Sequence, residues 1–142
     1  MTQYCPFCTS ARAEDRVLKE GKYAYVIFSN PRLMPGHLLV IPKRHVEGRL
    51  RELSQEERDE IFDFLIEFQV KILEKLARGC DVRQNYKPYV ENNRTHVDHM
   101  HFHLLPRGLD DELHGAENHK PLYRDLPEEE KTRLTSLLVQ TS

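Results

Sequence analysis

Residues 99–103 read His-Met-His-Phe-His, so three of the chain's eight histidines stand at alternating positions. Side chains in a strand point to opposite faces in turn, so this spacing predicts His99, His101 and His103 on one face. Met100, Phe102 and Leu104 take the other face and can pack into a core. Successive imidazoles on such a strand stand roughly 7 Å apart. An imidazole can donate to a phosphoryl oxygen, attack phosphorus or return a proton near neutral pH. The row therefore suits phosphate chemistry; the bland alternative is that these are exposed histidines on an amphipathic strand, and three in strict alternation favour the former. An H-x-H pair can also bind zinc or iron with a further ligand, but Asp98 falls on the wrong face to complete that set. A second chemical cluster lies at the N-terminus, where Cys5 and Cys8 have C-x-x-C spacing suited to a metal or to redox chemistry.

The elements that must position these residues follow from pattern. Tyr23 to Phe28 is aromatic and β-branched and predicts a strand. Asn30 to Gly36, with two prolines and a glycine, predicts a loop. His37 to Pro42 is almost wholly apolar, as a strand buried on both faces requires. Ser54 and Glu57 form a capping box, S-x-x-E, that opens a helix. Ile61, Leu65, Phe68, Ile72 and Leu76 give that helix an apolar stripe. Phe62, Ile66 and Leu73 widen it to two buried sides, and Gly79 is the expected stop. Lys87 to Asn92 and Val97 to Pro106 predict a third and a fourth strand. Pro127 and the acidic turn after it open a last helix, where the helix dipole favours negative charge. Strands, one long helix and further strands predict an α+β fold with an antiparallel sheet.

The 142 residues suit one domain, residues 1–142, and a formal net charge of −2 makes a nucleic acid polymer an unlikely partner for the whole surface. An anionic ligand must instead meet a local set of donors. No apolar run approaches the roughly 20 residues that span a bilayer, and Met1 to Cys8 is too polar for a secretory signal. No membrane partner and a cytoplasmic location are expected. Three cysteines make a disulfide framework improbable in a reducing compartment, and Cys80 is expected as a small packed side chain.

His99-Met100-His101-Phe102-His103-Leu104-Leu105 resembles the histidine triad (HIT) pattern, H-φ-H-φ-H-φ-φ with φ apolar. Asn30 to His45 is similar to the family's upstream signature, in which a Pro-Gly-His turn opens a strand ending in proline, two basic residues and histidine. Leu104 to Arg107 and the N-terminal C-x-x-C also fit, the latter matching a zinc-bearing bacterial branch. The resemblance runs from about Cys5 to Arg107. It implies a HIT-like fold, a homodimer joined through the long helix and a sheet edge, and a nucleotide, with adenine expected, as partner. It implies nucleotidyl hydrolysis or transfer on nucleoside phosphoramidates or dinucleoside polyphosphates. His101 would attack the α-phosphorus, His103 and His37 would donate to phosphoryl oxygens, and His99 would complete the triad. Asn30 would contact the ribose or the edge of the nucleotide pocket.

The resemblance also implies a structural Zn2+ held by Cys5, Cys8, His45 and His99, a closed tetrahedral set. The first twenty or so residues would then serve the zinc, and residues beyond about 108 form a divergent tail. The segment before the triad departs from the family's glycine-glutamine-serine or -threonine run. Asn92 or Asn93 stands where the pocket asparagine is expected, Thr95 near the glutamine position, and His96 where a hydroxyl often meets the leaving group. Arg94 and Arg107 would either hold a polyphosphate tail or solvate a loop. A nucleotide-binding protein with little turnover would use the same pocket, and a metalloenzyme built on the histidine row is a third reading.

Overall fold

A computed structural model describes residues 7, 14–91, 97, 99–109, 111–112 and 123–139. The elements run β1 (Val17–Glu20), β2 (Ala24–Phe28), β3 (Leu38–Pro42), α1 (Gln55–Lys75), β4 (Gly79–Gln84), β5 (Phe102–Arg107) and α2 (Glu128–Val139). The strands form one sheet in the order β1-β2-β3-β5-β4, and every neighbouring pair is antiparallel. β5 thus inserts between β3 and β4. Its register places Leu39 opposite His103, so the residue that precedes β3, His37, arrives beside the end of the histidine row.

Alternation divides the sheet into two faces. Ala24, Val26, Phe28, Leu38, Val40 and Leu104 pack with Ile61, Phe64, Phe68 and Ile72 of α1 and with Leu134 and Leu138 of α2. On the other face Tyr25, Ile27, Leu39 and Ile41 cluster with Phe7, and Leu105 clusters with Leu33 and Met34. Every residue of β2 and β3 is therefore buried, which is why both read as unbroken apolar runs. Burial of a side chain such as Phe68, 1% exposed, contributes about 1.5–3 kcal/mol.

The capping box forms as expected. Glu57 N–H donates to Ser54 Oγ at 3.1 Å, and Ser54 N–H donates to Glu57 Oε1 at 2.8 Å. The helix does not run to Gly79, however. It ends at Lys75 with Leu76 as its cap, and Gly79 opens β4 instead. Nor does α1 bury two sides within the protomer. Phe62, Ile66, Val70 and Leu73 make an apolar stripe that is 44–64% exposed.

The expected strand at Lys87 to Asn92 is a turn over its described residues, closed by Val90 N–H donating to Lys87 O at 3.0 Å. Pro88 cannot donate to a ladder, which weakens any strand reading there. Two strands, β1 and β4, went unread because both are short, polar and at the sheet's edges. Cys80 lies in β4 and packs against the core, where burial pushes its thiol up to about 11. No helix among the described residues is long and apolar enough to cross a membrane.

The segment after residue 108, opaque to sequence pattern, is tied to the loop between β2 and β3. Arg32 and Arg124 exchange two backbone hydrogen bonds, at 2.7 and 2.9 Å. The buried Arg32 guanidinium makes a bidentate pair with Glu130, both contacts 3.0 Å, and a third contact with Glu112 at 3.0 Å. A desolvated guanidinium requires such partners on all sides, so removing one strands a buried charge.

Candidate active site

The site is assembled from the β2–β3 loop and from β5 with the residues just before it. Met34-Pro35-Gly36-His37 forms a type II turn. Proline supplies φ at the second position, glycine takes φ +84° at the third, and His37 N–H donates to Met34 O at 3.0 Å. A side chain on Gly36 would also collide with Leu76. The turn delivers His37 into the interior, where it is 1% exposed.

Hydrogen bonds then fix every proton along the site. Leu33 N–H donates to His37 Nδ1 at 3.0 Å, so the His37 proton sits on Nε2. That Nε2–H donates to His103 Nδ1, 2.9 Å away, so the His103 proton sits on its own Nε2. His101 Nδ1–H donates to the carbonyl of His99 at 2.7 Å, which leaves His101 Nε2 with a lone pair. His99 Nε2–H donates to Pro42 O at 2.8 Å, and its Nδ1 faces His45 Nδ1 at 3.1 Å. The outcome is one nucleophilic nitrogen beside one outward-facing N–H donor.

Burial keeps the supporting rings uncharged. It pushes His37 well below its ordinary value, helped by the charges of His103, His101, Arg83 and Arg32. Burial, with His101 and Arg83, lowers His103 to about 3. Burial lowers His99 to about 4, against the opposing hydrogen bond to Pro42.

The histidine row departs from the expected strand. β5 begins at Phe102, so His99 and His101 precede it, held by Met100 N–H donating to Val46 O at 2.6 Å. The shared face survives: Phe7 lies edge-on to His99 and His101, with ring centroids 5.9 and 5.1 Å away. The rings of His101 and His103 are 4.9 Å apart, closer than the strand rise requires, because the rings tilt. His101 stays partly exposed while Met100 is buried among core residues.

The other expected residues divide into three groups. Asn30 is exposed, and its Oδ1 accepts from Leu126 N–H at 2.9 Å. Arg107 pairs with Asp81 and Asp111, both at 2.7 Å. Cys5, Cys8, Asn92, Asn93, Arg94, Thr95, His96 and Asp98 lie outside the described residues. The sequence reading missed Arg83, which β4 places directly opposite His103.

A family model for the HIT domain matches residues 10–109. The chain belongs to the HIT family. An adenosine 5'-monophosphoramidase of Saccharomyces cerevisiae is 31% identical over 108 residues, covering 72% of this chain and 62% of that protein. An asymmetrical bis(5'-nucleosyl)-tetraphosphatase of Schizosaccharomyces pombe is 33% identical over 75 residues, covering 53% and 40%. This chain thus spans less than two thirds of either enzyme. Among solved structures, a zinc-bound histidine triad family protein of Mycobacterium smegmatis superposes with a TM-score of 0.70 at 24% identity, covering 95% of this chain and 92% of that one. Together these give the HIT chain its fold and a family whose named members include nucleotide hydrolases.

The depressed values of His37 and His103 make the HIT fold's stability depend on pH. Unfolded histidine takes up a proton near 6.5, so these two contribute fully above that pH and lose their contribution as pH falls toward the folded values. The slope approaches about 1.4 kcal/mol per pH unit for each histidine. Urea midpoints should therefore drop between pH 7 and pH 5, and the drop should be shallower in His103→Gln. An equal slope in the two proteins would contradict the assignment.

Proposed function

We propose that this chain hydrolyses or transfers nucleotidyl groups, acting at the α-phosphate of nucleoside phosphoramidates or dinucleoside polyphosphates. The observation that carries the reading is the hydrogen-bonded proton pattern: an unprotonated Nε2 on His101, whose Nδ1–H is held by the His99 carbonyl, on the same chain face as the Nε2–H of His103. His101 Nε2 attacks the α-phosphorus, and the bond to the leaving group breaks with its electron pair going to that group. The positive charge developing on His101 is shared with the His99 carbonyl through Nδ1–H. His103 Nε2–H donates to a phosphoryl oxygen, where negative charge grows, and His37 holds His103 in the required tautomer. This replaces the direct phosphoryl contact expected of His37, whose two ring nitrogens already have partners. Water then attacks phosphorus, the P–N bond breaks, and the lone pair of His101 returns. Asn30 contacts the ribose or the edge of the nucleotide pocket.

The residues present fit a structural zinc ion. With His99 Nε2 bound to Pro42, its Nδ1 lone pair faces His45 Nδ1 at 3.1 Å. Two nitrogens on one tetrahedral zinc stand about 3.3 Å apart. Phe7, the residue before Cys8 in the sequence, lies against His99 with ring centroids 5.9 Å apart. Cys5, Cys8, His45 and His99 would hold the ion, and the two described members alone do not make a ligand group of three. Zinc would fix the backbone of His99, whose carbonyl orients His101. A homodimer is supported by the exposed stripe Phe62, Ile66, Val70 and Leu73 and by Val82 on the adjacent edge strand β4, 46% exposed.

Turnover of adenosine 5'-phosphoramidate or diadenosine tetraphosphate should fall by about three or more orders of magnitude in His101→Gly, since both the nucleophile and the split reaction are lost. Full activity in that variant would refute the mechanism, and tight AMP binding without turnover in the wild type would favour a binding protein. Elemental analysis should find about one zinc per chain in the wild type and far less in Cys8→Ser; a metal-free wild type prepared without chelators would overturn the zinc assignment. Light scattering should give twice the protomer mass, reverting to one protomer in Phe62→Glu/Ile66→Glu. A wild-type monomer at micromolar concentration would exclude this dimer.

A further inference from the structure

Arg83 lies on β4 with its Cα paired to that of His103, and paired residues of an antiparallel ladder project from the same face. Its side chain is 41% exposed. Among the described residues it pairs with the carboxylate of Asp81, two residues away, at 3.3 Å from Arg83 Nη2. That is longer than a strong charge-assisted contact, which falls at about 2.7–2.9 Å. The same Asp81 oxygen is already held by Arg107 at 2.7 Å. Arg83 therefore presents a weakly committed guanidinium on the face of the catalytic histidines. Its positive charge disfavours a proton on His37, on His103 and on Tyr123.

The order of strands gives that position a direction. Asn30, read above as the ribose contact, lies beyond β3 on one side of β5, and Arg83 lies on the other side. A phosphate held at His101 and His103 with its nucleoside toward Asn30 has its leaving group on the β4 side. We propose that Arg83 grips an anionic leaving group beyond the α-phosphate, and so selects substrates that release a phosphate-bearing product over those that release an uncharged amine. The inference rests on the nucleotidyl-hydrolase reading and adds to it a residue that sets leaving-group preference. Guanidinium suits this task because it pairs with phosphate through two parallel N–H donors.

The test is the ratio of kcat/KM for diadenosine tetraphosphate to that for adenosine 5'-phosphoramidate. Arg83→Gln should lower the ratio by about tenfold or more, the scale of one lost charge-assisted contact, and Arg83→Lys should recover part of it. A ratio that stays unchanged, or equal losses on both substrates, would overturn the inference while leaving the hydrolase reading intact. Should the wild type turn over neither substrate, the hydrolase reading fails, and calorimetry with inorganic tripolyphosphate decides the anion contact separately. Binding weakened by about tenfold in Arg83→Gln would uphold that contact, and equal binding by the two proteins would remove it.

Discussion

The hydrogen bond between His37 Nε2 and His103 Nδ1, 2.9 Å long, is the constraint from which the site is built. It exists because β5 pairs with β3, and its direction is set by a backbone amide, that of Leu33. An amide N–H can only donate, so the proton of His37 has one place to go, and the proton of His103 then has one place as well. Burial adds to this by holding both rings neutral, since a second proton on either would force two donors to face each other. The type II turn at Pro35 and Gly36 is the local device that makes the arrangement reachable. Sheet pairing, turn chemistry and desolvation thus converge on one outcome, a His103 ring whose proton is held on Nε2.

A parallel constraint acts on His101. Its tautomer depends on the carbonyl of His99, and His99 in turn is anchored through Pro42 and turned toward His45. The two halves of the site are therefore held by different means. His37 and His103 are fixed from the sheet, while His101 is fixed from the irregular segment just before β5. His101 sits where the backbone has left the ladder, and this lets its ring fold back on its own chain.

The shared face of His99 and His101 was legible in the sequence because three like residues at a period of two leave few alternatives. The buried strands β2 and β3 and the capped helix were legible for the same reason, a repeating pattern or a paired signal within four residues. The edge strands carried no such pattern. β4, Gly-Cys-Asp-Val-Arg-Gln, has one β-branched residue, and its glycine resembled a helix terminator. Missing β4 also hid Arg83, since a residue's relation to His103 depends on a pairing between segments about twenty positions apart. The link from Arg32 to Glu130 was equally out of reach, because ion pairs across long stretches of chain leave no local period.

That link spans 98 residues. All three triad histidines and His37 exist once the chain reaches residue 103, yet the clamps on the loop that presents His37 come from Glu112, Arg124 and Glu130, all later in the chain. A nascent chain on the ribosome would hold all four imidazoles for some time before that loop could be fastened. The fastening is completed last in synthesis, by a carboxylate of α2.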